Sequence, residues 1–365
     1  MVAQELNYQP LLPPRIDWGI GAIGAGFIMK DVHLAAYNEA GFNVVGVASR
    51  TKANARAAAE QNGIERVYDT WQELLADPAV EIVDIAYPPH LQLEIVKEAV
   101  QHADHVKGIL AQKPLATSYG EGAEMVKLCA DAGIALAVNS NMRYDQSMRA
   151  LKTLLDRGQL GEPVVAQITM HARPHWQEFI KGYDRVAILN MSVHHLDVFR
   201  FLFGDPERII CSVRTDPRTE FPHRDGMAFY ILEYGGGSGL RAIGIDNCFT
   251  WADHGIEWRV EGTKGIAKGT IGWPDYPEGS PSTIEYTLTS DEGEWHRPQW
   301  EERWFPQAFI GTMGQLMRAL EEGTEPEISG ADNLATLALL EAAYRSAEEG
   351  RAINPKEMRY EVISP

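Results

Sequence analysis

Along the first 140 residues the apolar positions come in short unbroken runs, at 17–23, 43–49, 81–86, 105–110 and 134–138. Between them the apolar positions recur with helical spacing, and two of these stretches open on capping boxes, Thr70-Trp71-Gln72-Glu73 and Ser118-Tyr119-Gly120-Glu121. Unbroken apolar strands are buried on both faces, and alternation with helices predicts a doubly wound parallel sheet. From about Glu162 the texture changes. Runs at 163–170, 208–214, 227–234, 239–247 and 256–261 are separated by turn residues, with glycines at 235–237 and a Gly262-Thr263-Lys264-Gly265 turn. They predict an open-faced, mostly antiparallel sheet. Helices are expected near 189–203, 307–322 and 331–349. The stretch 273–298, rich in Pro, Gly, Ser and Glu, reads as a surface loop with one strand near 283–289. The chain thus divides into an α/β domain over 1–140 and an α+β domain over 141–365, whose last helix is free to pack back on the first.

The candidate chemistry starts at Gly24-Ala25-Gly26-Phe27-Ile28-Met29, set between the first strand and a helix running to about Tyr37. Gly24 permits a tight turn, and Gly26 lets the main chain approach a pyrophosphate. The helix start at Phe27 and Ile28 offers N–H groups to its charge, the pattern of a dinucleotide-binding turn. Met29 holds the usual third glycine position and predicts a wider helix-to-strand approach. A shifted register on Gly19, Gly21 and Gly24 also fits the pattern, but it would place the turn inside the strand. The second strand ends at Ser49, followed by Arg50, where an NAD-preferring site carries a carboxylate, and this favours NADP over NAD. Tyr87-Pro88-Pro89-His90 turns the chain across the expected cofactor crevice. Another strand runs into Gln112-Lys113-Pro114. A lysine at the end of a buried strand, aimed by a proline, has its proton affinity tuned by a low dielectric; the plainer alternative is a salt-bridged lysine at a sheet edge.

In the second domain, one helix carries Asn190, His194, His195 and Asp197. His194 and Asp197, three apart, share a face, so the carboxylate can orient or charge the imidazole, and Asn190 shares that face. In the plainer reading, His194 is a satisfied core histidine and His195 faces solvent. Adjacent histidines on a helix point about 100° apart, so a metal site is not expected. Upstream, Arg173, Trp176 and Arg185 are candidates to meet a substrate: Trp176 by stacking on a sugar's C–H face, the arginines by pairing with an anionic group. Arg143 and Tyr144 fall at the expected domain junction.

Composition narrows the field. The 365 residues carry a net charge of −18, which speaks against a nucleic-acid partner. No apolar run is long enough to span a membrane, and no basic leader precedes an apolar stretch. Three scattered cysteines, Cys129, Cys211 and Cys248, suit a reducing cytoplasm.

Taken together, Gly21 to Ile28, Ala111-Gln112-Lys113-Pro114, Asn141-Met142-Arg143-Tyr144, Ser192 to Asp197 and the closing stretch from Ser329-Gly330 to Gly350-Arg351 resemble the Gfo/Idh/MocA oxidoreductase family. The resemblance spans nearly the whole chain. It implies a Rossmann domain, an open-faced sheet domain, NAD(P), and oxidation or reduction of a sugar, polyol or relative. It assigns the proton chemistry to Lys113 and His194, with Asn190 beside them. The expected cofactor contacts are Gly24, Gly26, Phe27, Ile28, Ser49, Arg50, Tyr87, Pro88, His90, Gln112, Lys113 and Asn141. The expected substrate contacts are Lys113, Arg143, Tyr144, Arg173, Trp176, Arg185, Asn190 and His194. Gln112, Ser192, Asn190 and Gln92 stand where the family more often has Glu, Gly, Asp and His. Similar proteins also include glycosidases that use a retained NAD and non-catalytic NAD(P)-binding regulators. A homodimer or homotetramer covering the open sheet face is implied as well.

Overall fold

The structure, a computed structural model, describes residues 6–173, 178–235, 239–272 and 280–359. It comprises two compact units. One is built from Pro10–Asn141 and Phe305–Leu337, the other from Met142–Trp304 with residues 6–9 and 338–359.

In the parallel-sheet unit, β1 (Ile20–Ile23) leads through the glycine turn into a π-helical turn, Ile28–His33, that continues as α1 (Leu34–Ala40). There follow β2 (Val44–Ala48), α2 (Lys52–Asn62), β3 (Val67–Tyr68), α3 (Trp71–Leu75), β4 (Ile82–Ile85), α4 (Gln92–Ala99), β5 (Gly108–Ala111), α5 (Tyr119–Ala132) and β6 (Ala135–Val138). The six strands pair in the order β3-β2-β1-β4-β5-β6, all parallel. Both capping boxes form: Thr70 accepts from the Glu73 N–H at 3.1 Å and Ser118 from the Glu121 N–H at 3.3 Å. The order reverses at β1 and β4, so the crevice beyond their carboxyl ends is the place where such a sheet takes its ligand.

The mixed-sheet unit contains α6 (Gln146–Asp156), β7 (Pro163–His171), a π-helical turn, Ala187–Ser192, continuing as α7 (Val193–Phe203), then β8 (Arg208–Arg214), β9 (Met227–Glu233), β10 (Arg241–Asn247), β11 (Gly255–Gly262), β12 (Gly265–Ile271) and β13 (Thr283–Leu288). Its seven strands lie in the order β13-β12-β11-β7-β10-β9-β8. All neighbours are antiparallel except β7 and β10. One face is packed, burying Ile168, Met170, Tyr230, Leu232, Trp258 and Val260; α6 lies on β12 and β13, and the π-helical turn on β9 and β10.

Two closing helices complete the chain. α8 (Ala308–Glu322) belongs to the parallel-sheet unit, far along the chain from the division at Asn141 and Met142. The reason is physical: a parallel sheet needs cover on both faces, and α8 covers β5 and β6, its Leu316 and Leu320 lying against Gly108. α9 (Gly330–Glu349) gives residues 330–337 to the same unit and the rest to the mixed-sheet unit. Among the described residues no helix is long and apolar enough to cross a membrane.

Candidate active site

The glycine turn has the geometry that its residues suggest. Gly24 adopts φ +114°, and a Cβ there would lie 2.7 Å from the Ala86 carbonyl oxygen, so only glycine fits. At Gly26 a Cβ would meet nothing within 4 Å, leaving the main chain open to a ligand. Phe27 and Ile28 are half-buried, whereas Met29, within the π-helical turn, is fully buried. Beyond β2, Ser49, Arg50 and Tyr87 line a cavity of about 330 Å³ with Trp71, Asp69 and Glu94. The Arg50 N–H donates to the Tyr87 hydroxyl at 3.1 Å, tying the two segments together. Asp69 is ion-paired with Lys52. Pro88 leads into a 3₁₀ turn, Pro89–Leu91, on which His90 is exposed, and Asn141 is buried with its amide donating to the Asn139 carbonyl at 3.2 Å. A pyrophosphate-approaching turn and a polar cavity at the end of the next strand fit a dinucleotide.

Lys113 follows β5 and is half-buried. Burial pushes its amine down to about 7. The Gln112 side-chain oxygen accepts the Lys113 N–H at 2.9 Å. The Gln112 amide nitrogen lies 3.4 Å from His33 Nε2, and the Asn139 amide 3.0 Å from the same atom. With two amide donors facing Nε2, the His33 proton sits on Nδ1, which donates to Asp84 at 2.8 Å; the Tyr37 hydroxyl donates to Asp84 at 2.7 Å. His33, Tyr37, Asp84 and Asn139 are all fully buried. Sequence reasoning did not find this network. Its one visible trace was Asp84, a lone carboxylate in the apolar run Ile82-Val83-Asp84-Ile85, which burial obliges to find donors.

In the mixed-sheet unit, Asn190 lies on the π-helical turn and His194 one turn on in α7, both buried. The His194 ring meets Trp304 edge-on at 5.8 Å. Asp225 fixes the start of this helical segment: its two oxygens accept the Val186 N–H at 2.6 Å and the Ile188 N–H at 2.7 Å. Tyr344 joins in, donating to Asp225 at 2.9 Å and accepting the Leu189 N–H at 3.1 Å.

Asp197 holds Arg143 through two bonds of 2.7 Å, one from Nε and one from Nη2, with both residues buried. The guanidinium thus engages both carboxylate oxygens. His195 is likewise fully buried and meets Asp246 of β10 at 2.7 Å, so it is not the solvent-facing histidine that the helical period allowed. Tyr144 is buried beneath the Arg149 guanidinium. Arg185 lies over the Tyr344 ring at 4.5 Å, and Arg173 is exposed. Trp176 lies outside the described residues.

Residues 18–140 match an oxidoreductase family with an NAD-binding Rossmann fold, and residues 152–354 match its C-terminal alpha/beta domain. The chain belongs to the Gfo/Idh/MocA oxidoreductase family. It is 26% identical over 349 residues to D-apiose dehydrogenase of Paraburkholderia graminis, covering 93% of this chain and 90% of that protein. It is 27% identical over 347 residues to 1,5-anhydro-D-fructose reductase of Ensifer adhaerens, covering 92% and 97%. An oxidoreductase from Agrobacterium radiobacter, solved in complex with NAD+, L-tartaric acid and magnesium, matches with a TM-score of 0.81 at 26% identity, over 94% of this chain and 100% of that one. The chain is thus an oxidoreductase that uses NAD(P).

Proposed function

We propose that this enzyme moves a hydride between NAD(P) and a carbon bearing a secondary hydroxyl, or its carbonyl counterpart, in a sugar, polyol or sugar derivative. The observation that carries this reading is Lys113, held by its buried neighbours at the carboxyl end of β5 in the unit that bears the glycine turn, with its amine pushed down to about 7. The apiose and anhydrofructose enzymes to which the chain is similar support the substrate class.

NAD(P), when bound, supplies the hydride acceptor or donor. Gly24, Gly26, Phe27 and Ile28 would hold the pyrophosphate, Ser49, Arg50 and Tyr87 would line the place of the ribose and adenine, and Pro88, His90, Gln112 and Asn141 would supply further contacts to the cofactor. In the oxidative direction His194 removes the hydroxyl proton, while Lys113 donates a hydrogen bond to the same oxygen and stabilises its growing negative charge. In the reductive direction His194 returns that proton. Asn190, neutral, orients the reacting groups as donor or acceptor. Arg173, Arg185 and Trp176, with Tyr144, are the substrate's remaining contacts, and Arg143 acts through its hold on Asp197.

NADP is the preferred form in this reading. Ser49 offers no carboxylate to repel a 2′-phosphate, Arg50 is exposed beside the cavity, and Lys52 offsets the charge of Asp69. A cytoplasmic setting goes with three buried, unpaired cysteines. The open face of the mixed sheet carries Ile210, Phe229 and Ile231, all exposed, with Ile210 opposite Ile231 and Ile231 opposite Ile243 in register. A second copy of the chain covers this face in a homodimer or homotetramer.

A panel of sugars, inositols and sugar acids, offered with NAD and with NADP and followed by nicotinamide absorbance, tests the function. Reduced nicotinamide formed in proportion to a free polyol is the expected result, faster with NADP. Release of aglycone from glycosides without added cofactor, or binding of NAD(P) with no turnover of any member, would overturn it.

A further inference from the structure

Lys113 is aimed by its main chain, and that main chain has an unusual partner. Once past β5 the residues around Lys113-Pro114 can no longer use the sheet ladder, and Pro114 has no N–H to give. Their carbonyls are nonetheless buried, because Gln112, Pro114 and Leu115 are all buried. One side chain answers them. Gln92, the first residue of α4 and fully buried, accepts the Gln112 N–H at 2.6 Å through its oxygen. Its amide nitrogen stands 2.9 Å from the Gln112 carbonyl, 3.1 Å from that of Pro114 and 3.0 Å from that of Leu115. Two amide hydrogens serve three acceptors, so one bond is shared.

We infer that Gln92 is the positioning residue of the reaction: by bonding the main chain on both sides of Lys113 it fixes the direction in which the amine leaves the backbone. The inference rests on the reading of Lys113 as a proton-handling group. The Gln112 side chain completes the hold by taking the Lys113 N–H, and it is in turn backed by His33. Chemistry explains why amides suit this task. A neutral amide offers both an acceptor and donors, whereas a carboxylate at position 92 would face three carbonyl oxygens with nothing to donate. Neither amide puts a counter-charge beside the lysine, and burial pushes its proton affinity down.

The test uses the full-length enzyme with Gln92→Met, close in shape but unable to form these bonds, and Gln92→His, which keeps one donor and one acceptor. Acetylation of Lys113 by acetic anhydride, read on its peptide by mass across pH, needs no substrate. Gln92→Met is expected to move the labelling midpoint upward by about one pH unit, toward an ordinary lysine, and Gln92→His by less; an unmoved midpoint in folded Gln92→Met overturns the inference. Turnover of the best panel substrate then separates positioning from general damage. Gln92→Met should lower kcat about thirtyfold, with the Kd for NADP+ within about threefold of wild type, and should have almost no further effect in a Lys113→Ala background. An equal loss in both backgrounds means that Gln92 is merely structural. Should Gln92→Met not fold, Gln92→His carries the same cycle, with a loss of about threefold to tenfold in the wild-type background and none in Lys113→Ala. Wild-type turnover in Lys113→Ala itself would instead defeat the reading of Lys113.

Discussion

Lys113 is a liability to folding. An unfolded lysine keeps its proton up to its usual value of 10.5, while the folded chain gives it up above about 7. Between those values the unfolded state binds more protons, so stability rises with pH; below about 7 the full cost of a buried charge is present. Each tenfold loss of proton affinity corresponds to about 1.4 kcal/mol, so the penalty amounts to several kcal/mol at most. Lys113→Met is therefore expected to be more stable than wild type at pH 6, with a gain that shrinks toward zero as pH approaches 10; denaturant unfolding at a series of pH values checks this. A difference that does not change with pH would contradict it. Lys113 itself was legible because strand, lysine and proline are neighbours in sequence. Its holders were not: Gln92 lies 20 positions away from Gln112 and His33 lies 79, and no local pattern marks partners at such separations. The burial of His195 was out of reach for a related reason, since a helical period tells faces apart but does not say which of them a sheet covers.

At the scale of elements, alternation and capping boxes gave the strands and helices of the parallel sheet close to their observed bounds. β3 escaped because two residues make no pattern. The parallel pairing of β7 with β10 was also out of reach, because a strand's in-and-out alternation is the same whichever way its neighbour runs. The π-helical turns leave no mark in hydrophobic spacing over so few residues. The turn that carries Asn190 depends on Asp225, a residue of the loop before β9 that binds two of its main-chain N–H groups and the Tyr344 hydroxyl. Asp225→Ala leaves all three without that acceptor in a buried place and is expected to destabilise the fold by about 2–4 kcal/mol. Urea unfolding with an unchanged slope would measure it; a change under about 0.5 kcal/mol would mean that the helix start does not rely on this carboxylate.

For the molecule as a whole, the change of texture near residue 162 announced a second kind of sheet, yet it could not announce that residues 305–337 return to the first. An amphipathic stripe says that α8 packs; it does not say on which sheet. The exposed isoleucines and Phe229 on the mixed sheet bear on assembly. A single Ile231→Glu places a charge in the middle of that apolar row and is expected to lower the oligomer to a monomer in light scattering, with the unfolding midpoint of the isolated chain little changed. Wild-type protein that is already monomeric at micromolar concentration would remove this part of the proposal. The central claim, an NAD(P)-dependent oxidoreductase with Lys113 and His194 as its proton-handling pair, is tested most directly by single-turnover hydride transfer to or from the best panel substrate in Lys113→Ala and His194→Ala. Each variant should bind NADP+ within about threefold of wild type and transfer hydride at least about a hundredfold more slowly; transfer within about threefold of wild type in either would contradict the account.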